Sequence, residues 1–291
     1  MLLAGLGSTG FAACGTALKH GAARTLPPRM GSRLGQLRVA LTQPLWLFGL
    51  VADAVALSLQ VIALHIGTLT VVQPLLISAL LFSLLLNHWF QRTRPKRREV
   101  LYAAALLGSL GAFLAVSGSV AVSPGAVESA DKAVAVVAAV IAIVGCIALI
   151  LLAHLHQHAN KAALLGVSVA CIYAATAALI KSCTNIFAVA PTDLVTSWQP
   201  YVLVPTGLLG LLLTQFAFRA GPLTASLPAI GALDPVLSVA LGVWVFDEPL
   251  RSGLLATSAE LVALAALAGS AYALSRVEAS PGSGLVAPMP P

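Results

Sequence analysis

Apolar residues in this chain come in runs of about twenty, separated by short clusters of basic, Pro/Gly-rich or Ser-rich residues. A helix needs roughly 20 mostly apolar residues to cross a bilayer. On that measure the pattern predicts nine spans, at 1–18, 46–66, 68–86, 100–122, 133–154, 162–184, 201–218, 223–246 and 254–275. The ten-residue alternation of a transmembrane β-barrel does not occur. The predicted fold class is therefore an all-α polytopic membrane protein. After the last span, VEASPGSGLVAPMPP (277–291) is rich in Pro, Gly and Ser and predicts a disordered tail.

Composition agrees. Charged residues make up 9% of 291 and hydrophobic ones 59%, against about 25% charged in ordinary soluble domains. No water-soluble fold of this size has enough interior to hide such a chain. The four cysteines, Cys14, Cys146, Cys171 and Cys183, fall in or at the ends of apolar spans without metal-binding spacing. They read as reduced, buried thiols. FAAC before Gly15 resembles a lipoprotein cleavage site, but no Lys or Arg precedes its apolar run.

The 16 Lys and Arg residues divide unevenly when sorted by alternate sides of nine spans. Lys132, Lys181 and Arg251 take one side and the other thirteen take the opposite side. The positive-inside rule then predicts an external N-terminus and a cytoplasmic C-terminus in the plasma membrane. The net charge of +6 belongs to these loops, and RTRPKRRE (92–99) reads as an orientation signal that meets anionic lipid, not nucleic acid.

One polar-tinged segment occurs twice. ALHIGTLTVVQP (63–74) returns as AFRAGPLTASLP (217–228), with Ala, Gly, Leu, Thr and Pro in register. FAACGTALK (11–19) likewise matches YAATAALIK (173–181), and GAFLAVS (111–117) matches GSAYALS (269–275). Spans one to four thus map onto six to nine, with span five left as a connector. The offset of five spans is odd, so each repeated helix crosses in the opposite sense to its partner. This predicts a 4+1+4 inverted-topology repeat, an arrangement of secondary transporters. The predicted units are 1–132, 133–161 (the connecting helix), 162–276 and the tail 277–291.

Pro74 and Pro228 occupy the same place in the two copies, and Pro235 follows one helical stretch later. Each lacks an N–H and crowds the carbonyl four residues earlier. They are the candidate gating kinks, with bends that only shape the packing as the plainer reading. Three carboxylates lie inside apolar spans: Asp53, Asp234 and Glu260. An acid at the bilayer centre costs about 2.5–3.5 kcal/mol on insertion scales, so such residues mark a solute or ion path by default. Gln60, Gln73 and Gln215 are candidates to line the same path, against helix–helix hydrogen bonding as the alternative. HLHQH (154–158) reads as an interfacial cap and not a metal site, because carboxylate or thiolate ligands are missing nearby. Asp247–Glu248 in WVFDEPLR is expected to begin an external loop, either attracting cations or forming a solvated turn.

Three stretches carry a family resemblance: GTALKHGAAR after span one, VVQPLLISALL in span three, and LLTQFAFRAGPLTASLPAIGALDP across spans seven and eight. With FDEPLR closing the penultimate span, the chain resembles the drug/metabolite transporter superfamily. Within it, the nine-helix NIPA-type magnesium transporters and their bacterial relatives are most similar. The resemblance implies alternating-access transport. Where eukaryotic NIPA proteins carry Glu and Asn early in span two, this chain has Leu57 and Gln60, with its acid one turn earlier at Asp53.

The expectation is a secondary transporter of a small polar or cationic solute, coupled to H⁺ or a cation, with no cofactor and no enzymatic activity. Its other partners are membrane lipids and, in a homodimer, a second copy. A divalent-cation (Mg²⁺) facilitator is the alternative, its metal ligands unassigned. A membrane enzyme or a non-transporting scaffold is more distant, since HExxH, GxSxG and P-loop motifs do not occur.

Overall fold

The structure is a computed structural model that describes residues 1–24, 43–91, 94–117, 150–153, 155, 158–248 and 254–278. Its helices are α1 (Leu2–Arg24), α2 (Pro44–Ile66), α3 (Leu69–Leu76), α4 (Ala79–Gln91), α5 (Arg97–Ser117), α6 (His158–Val189), α7 (Gln199–Ala220), α8 (Leu223–Phe246) and α9 (Leu254–Glu278). A one-turn helix, Asp193–Thr196, joins α6 to α7. Among the described residues, seven segments are long and apolar enough to cross a membrane, and α1 carries a shorter apolar stretch, Leu2–Leu18. The chain is thus an all-helical, polytopic membrane protein. The predicted fifth span lies outside the described residues except for 150–153. So do Lys132, Cys146, His154, His156, Arg251 and the tail beyond residue 278.

Local sequence sets the helix ends. Pro44 and Pro200 stand in the first turns of α2 and α7, where their missing N–H has no helical partner to lose. The repeated segments fold alike: α2 ends at Gly67 and α7 at Gly221, each followed by one extended residue (Thr68 or Pro222) before the next helix starts. At the start of α5 the buried Glu99 accepts the Lys96 amide at 2.7 Å, and its Oε2 lies 3.2 Å from His88 Nε2 at the end of α4. That is one arm of a capping box.

Span three differs from its expectation. It is predicted as one helix, but the structure divides it at Ile77–Ser78 into α3 and α4. The division follows Pro74 by one turn. There the chain uses three-residue bonds, Ile77 N–H to Pro74 O at 3.2 Å and Ser78 N–H to Leu75 O at 3.1 Å, in place of the regular ladder. By contrast, α8 carries both Pro228 and Pro235 without interruption.

Helix α1 packs on α2 and on α3–α4, while α6 packs on α7 and α8. Helix α5 lies against α9, and α8 touches α3 and α9. Three apolar clusters hold these contacts. Leu106, Leu110 and Phe113 of α5 meet Leu264, Leu267 and Leu274 of α9. Leu165, Val169 and Ile172 of α6 meet Leu213 and Ala217 of α7. Ala63, Leu64, Leu69 and Val72 of α2–α3 meet Ala177 and Ile180 of α6. Facing outward are Leu101, Val204, Phe216, Trp244 and Val262, all exposed. Such a surface is costly in water and suits hydrocarbon.

Candidate functional site

Helix α8 ties the two repeated junctions together. Near its C-terminal end Gly242 lies against Thr70 of the α2–α3 junction, and its N-terminal end is the α7–α8 junction itself. The 24 residues of α8 span about 36 Å at 1.5 Å per residue. The two copies of the repeated segment therefore sit at opposite ends of the bundle.

Their surroundings differ. At the first junction every residue from 67 to 75 is buried; at the second, between 221 and 229, only Ser226 and Pro228 are. The first is also fastened by charge. Leu69 N–H donates to Glu248 Oε1 at 2.6 Å, and Thr70 N–H donates to Glu248 Oε2 at 2.7 Å. A carboxylate thereby takes two otherwise unpaired amides at the N-terminus of α3, the end where the helix dipole favours negative charge. Lys181 Nζ donates to Leu64 O at 2.8 Å and also to the Gly67 carbonyl, at the C-terminal end of α2. A cation at helix carbonyls is the complementary arrangement.

Both charged residues come from the second half of the chain, and both are buried. The end of α8 is shaped to deliver one of them. Asp247 adopts a left-handed conformation at φ 47°, and the Glu248 amide turns back to Gly242 O at 3.1 Å. Such a conformation is uncommon outside glycine, though Asp tolerates it better than most. It directs the Glu248 side chain into the hollow over Gly242. A Cβ there would stand 2.5 Å from Glu248 Oε2 and 2.7 Å from Thr70 Cγ2.

These placements differ from the solvated external turn expected at Asp247–Glu248. Asp247 is exposed, but Glu248 is buried and bonded. Lys181, counted among the few external basic residues and within the predicted span 162–184, is buried under the junction.

The three intramembrane acids stand apart. Asp53 on α2 packs against Gly15 of α1. Asp234 sits at the middle of α8, half-buried, with Ser238 Oγ making a long contact of 3.5 Å to its Oδ1. On the helices beside α8, the Tyr173 hydroxyl of α6 bonds Thr214 of α7 at 2.8 Å. Glu260 is buried on α9 with Oε2 unpartnered. No group of three His, Cys, Asp or Glu able to hold a metal occurs among the described residues.

The glutamines divide similarly. Gln73 is buried on α3, and its Nε2 has no hydrogen-bond partner. Since Thr70 lies against Gly242 and Leu80 near Gly231, the helices run antiparallel and Gln73 is level with residue 239, roughly one and a half turns from Asp234. Gln60 is half-buried on α2, and Gln215 is exposed on α7. The structure therefore pairs Asp234 with Ser238 on α8 and Tyr173 with Thr214 between α6 and α7, both on helices packed against each other or against a common neighbour. Asp53, Gln60, Gln215 and Glu260 lie elsewhere. Ser117, Ser226 and Ser275 add further buried hydroxyls without partners. Buried polar atoms are nearly always hydrogen-bonded, and these side chains depart from that rule.

These features define an all-helical, polytopic membrane protein with some polar side chains buried among its apolar clusters. An uncharacterized protein of Corynebacterium glutamicum is 31% identical over 270 residues, covering 92% of each chain. The chain belongs to the family of that protein. No family model matches the sequence, and no solved structure matches it.

Proposed function

We propose that the chain is a secondary transporter of the drug/metabolite transporter superfamily. It moves a small polar or cationic solute across the plasma membrane by alternating access. Its helices form a nine-span 4+1+4 inverted repeat, with the N-terminus outside and the C-terminus in the cytoplasm. The observation that carries this reading is the difference between the two repeated junctions. They share sequence and backbone shape and lie at opposite ends; one is buried and fastened by charge, the other is mostly half-buried and has no such charges among the described residues.

The helix pairing supports the same reading. Helix α1 packs on α2 and α3–α4 as α6 packs on α7 and α8, and the matched spans α5 and α9 pack on each other. A two-fold relation in the membrane plane produces such pairs. Departure from symmetry is informative too: α2 contacts α6, but α1 and α7 make no comparable contact among the described residues. Halves rocked toward one face give this asymmetry. In the proposed topology the fastened end is external, so the state is inward-open.

Asp234 is the proposed solute- or proton-binding group, at the level where both faces alternate access. The small-solute reading is the first choice and a Mg²⁺ facilitator the alternative; among the described residues no group of three His, Cys, Asp or Glu forms, so a Mg²⁺ site here would rest on one or two carboxylates. A Mg²⁺ ion usually takes one or two carboxylates together with several waters. Purified protein in proteoliposomes, screened for uptake of amines, amino acids and divalent cations under imposed H⁺ and Na⁺ gradients, tests the proposal. Solute flux that requires Asp234 supports it. An absence of flux across the screen, from protein shown to be inserted and monodisperse, counts against it.

A further inference from the structure

We propose that Lys181 and Glu248 form a releasable latch, carried by the second half of the chain, that closes one end of the protein by gripping the α2–α3 junction of the first half. The inference rests on the transporter reading for its purpose, but not for its chemistry.

Four observations carry it. The grip is two-handed: Glu248 takes the amides of Leu69 and Thr70 while Lys181 takes the carbonyls of Leu64 and Gly67, so both helix ends at the junction are held at once. It crosses between halves, unlike the Glu99 contacts, which join the neighbouring helices α4 and α5. It has a built seat, because only glycine at 242 leaves room for the carboxylate beside Thr70. It is also dispensable for the local fold. Among the described residues no acid takes the amides of Leu223 and Thr224 and no ammonium takes the carbonyls before Gly221, yet that junction has the same helix–Gly–extended–helix shape.

A permanent staple between halves is better made from packed apolar side chains, since burying ions has a desolvation penalty that offsets much of their attraction. Charges on helix ends suit a contact that must break. The grip depends on direction and short range, so a small separation of α8 and α6 from the junction loses all of it together. The freed groups then regain water at the rim of the bundle. Apolar contacts beneath, from Leu69 and Val72 to Ala177 and Ile180, define the seat to which the latch returns.

The test uses full-length protein in proteoliposomes, with the native cysteines replaced by serine and Thr70→Cys as reporter. Thr70 is buried under the latch, and its amide contact with Glu248 does not require its own side chain. A membrane-impermeant maleimide reads its accessibility. The latched protein is expected to label slowly. Adding Glu248→Gln or Gly242→Ala is expected to raise the rate at least ten-fold, while Asp193→Asn, an exposed acid between α6 and α7, leaves it unchanged. Unchanged labelling in Glu248→Gln, or an equal rise in Asp193→Asn, overturns the latch. If Glu248→Gln does not accumulate, Lys181→Met with the same reporter decides on the same criteria. Labelling needs no transported solute, so a failed latch leaves the transport proposal standing. Normal latch behaviour without flux refutes transport alone.

Discussion

The two junctions of this protein show how one sequence pattern acquires two roles. ALHIGTLTVVQP and AFRAGPLTASLP both end a helix at glycine, place one extended residue, and start a helix that meets proline five residues later. In the first copy the chain from 67 to 75 is wholly buried, with a carboxylate and an ammonium on its free backbone groups. In the second copy Pro222 is exposed, most of its neighbours are half-buried, and no such charges arrive among the described residues. The lesson is that the repeat specifies the bend, whereas distant residues decide whether the bend is closed.

The largest expected effect concerns the helix that joins the junctions. Asp234→Asn should lower solute flux at least about 30-fold, the factor that corresponds to roughly 2 kcal/mol, because it removes the charge proposed to bind the solute or proton. Insertion and the thermal midpoint should stay near wild type, as checked by size-exclusion analysis after heating. Full flux in this variant removes Asp234 from the transport path.

Glu248→Gln ranks next. It leaves Lys181 buried without the nearby acid and weakens two charge-assisted bonds, worth roughly 1.5–3 kcal/mol each. A lowered thermal midpoint in detergent is expected. Lys181→Met should fall by a similar amount, and the double variant by less than the sum, since the two act on one junction. Fully additive losses would separate the pair into two unrelated caps.

Gly242→Ala keeps every charge and obstructs only the seat. A loss of about 1–3 kcal/mol is expected, as for other overpacked sites. The smallest change belongs to the second junction: Arg219→Ala should stay within about 0.5 kcal/mol, as surface substitutions usually do. A larger loss there than at Gly242 would reverse the contrast between the two ends.

Much of the architecture was legible from hydrophobic run length, because in lipid the backbone must satisfy itself within each segment. Where the ends of α2, α7 and the start of α8 fall is set by prolines and glycines visible in the chain. The break after Pro74 was not legible, since Pro228 and Pro235 in similar surroundings leave α8 continuous. Asp234 stood out as an acid in an apolar run. Glu248 and Lys181 did not, because each sits at the end of a span where charge is ordinary. Their role depends on contacts 179 and 117 residues away in sequence. The one available hint was a lysine closing YAATAALIK and an acid before Pro249 at the same predicted membrane face. Glu99 was equally silent, its burial arising from His88 on the preceding helix.

Reciprocity between the two ends tests the central claim most directly. Thr70→Cys and Thr224→Cys occupy matching positions in the two junctions and can be labelled in separate samples, with and without Glu248→Gln. The account predicts that releasing the latch exposes position 70 and at the same time protects position 224, as the halves rock to the opposite state. If both positions become more reactive together, the latch is holding a bundle closed against fraying, and alternating access is contradicted.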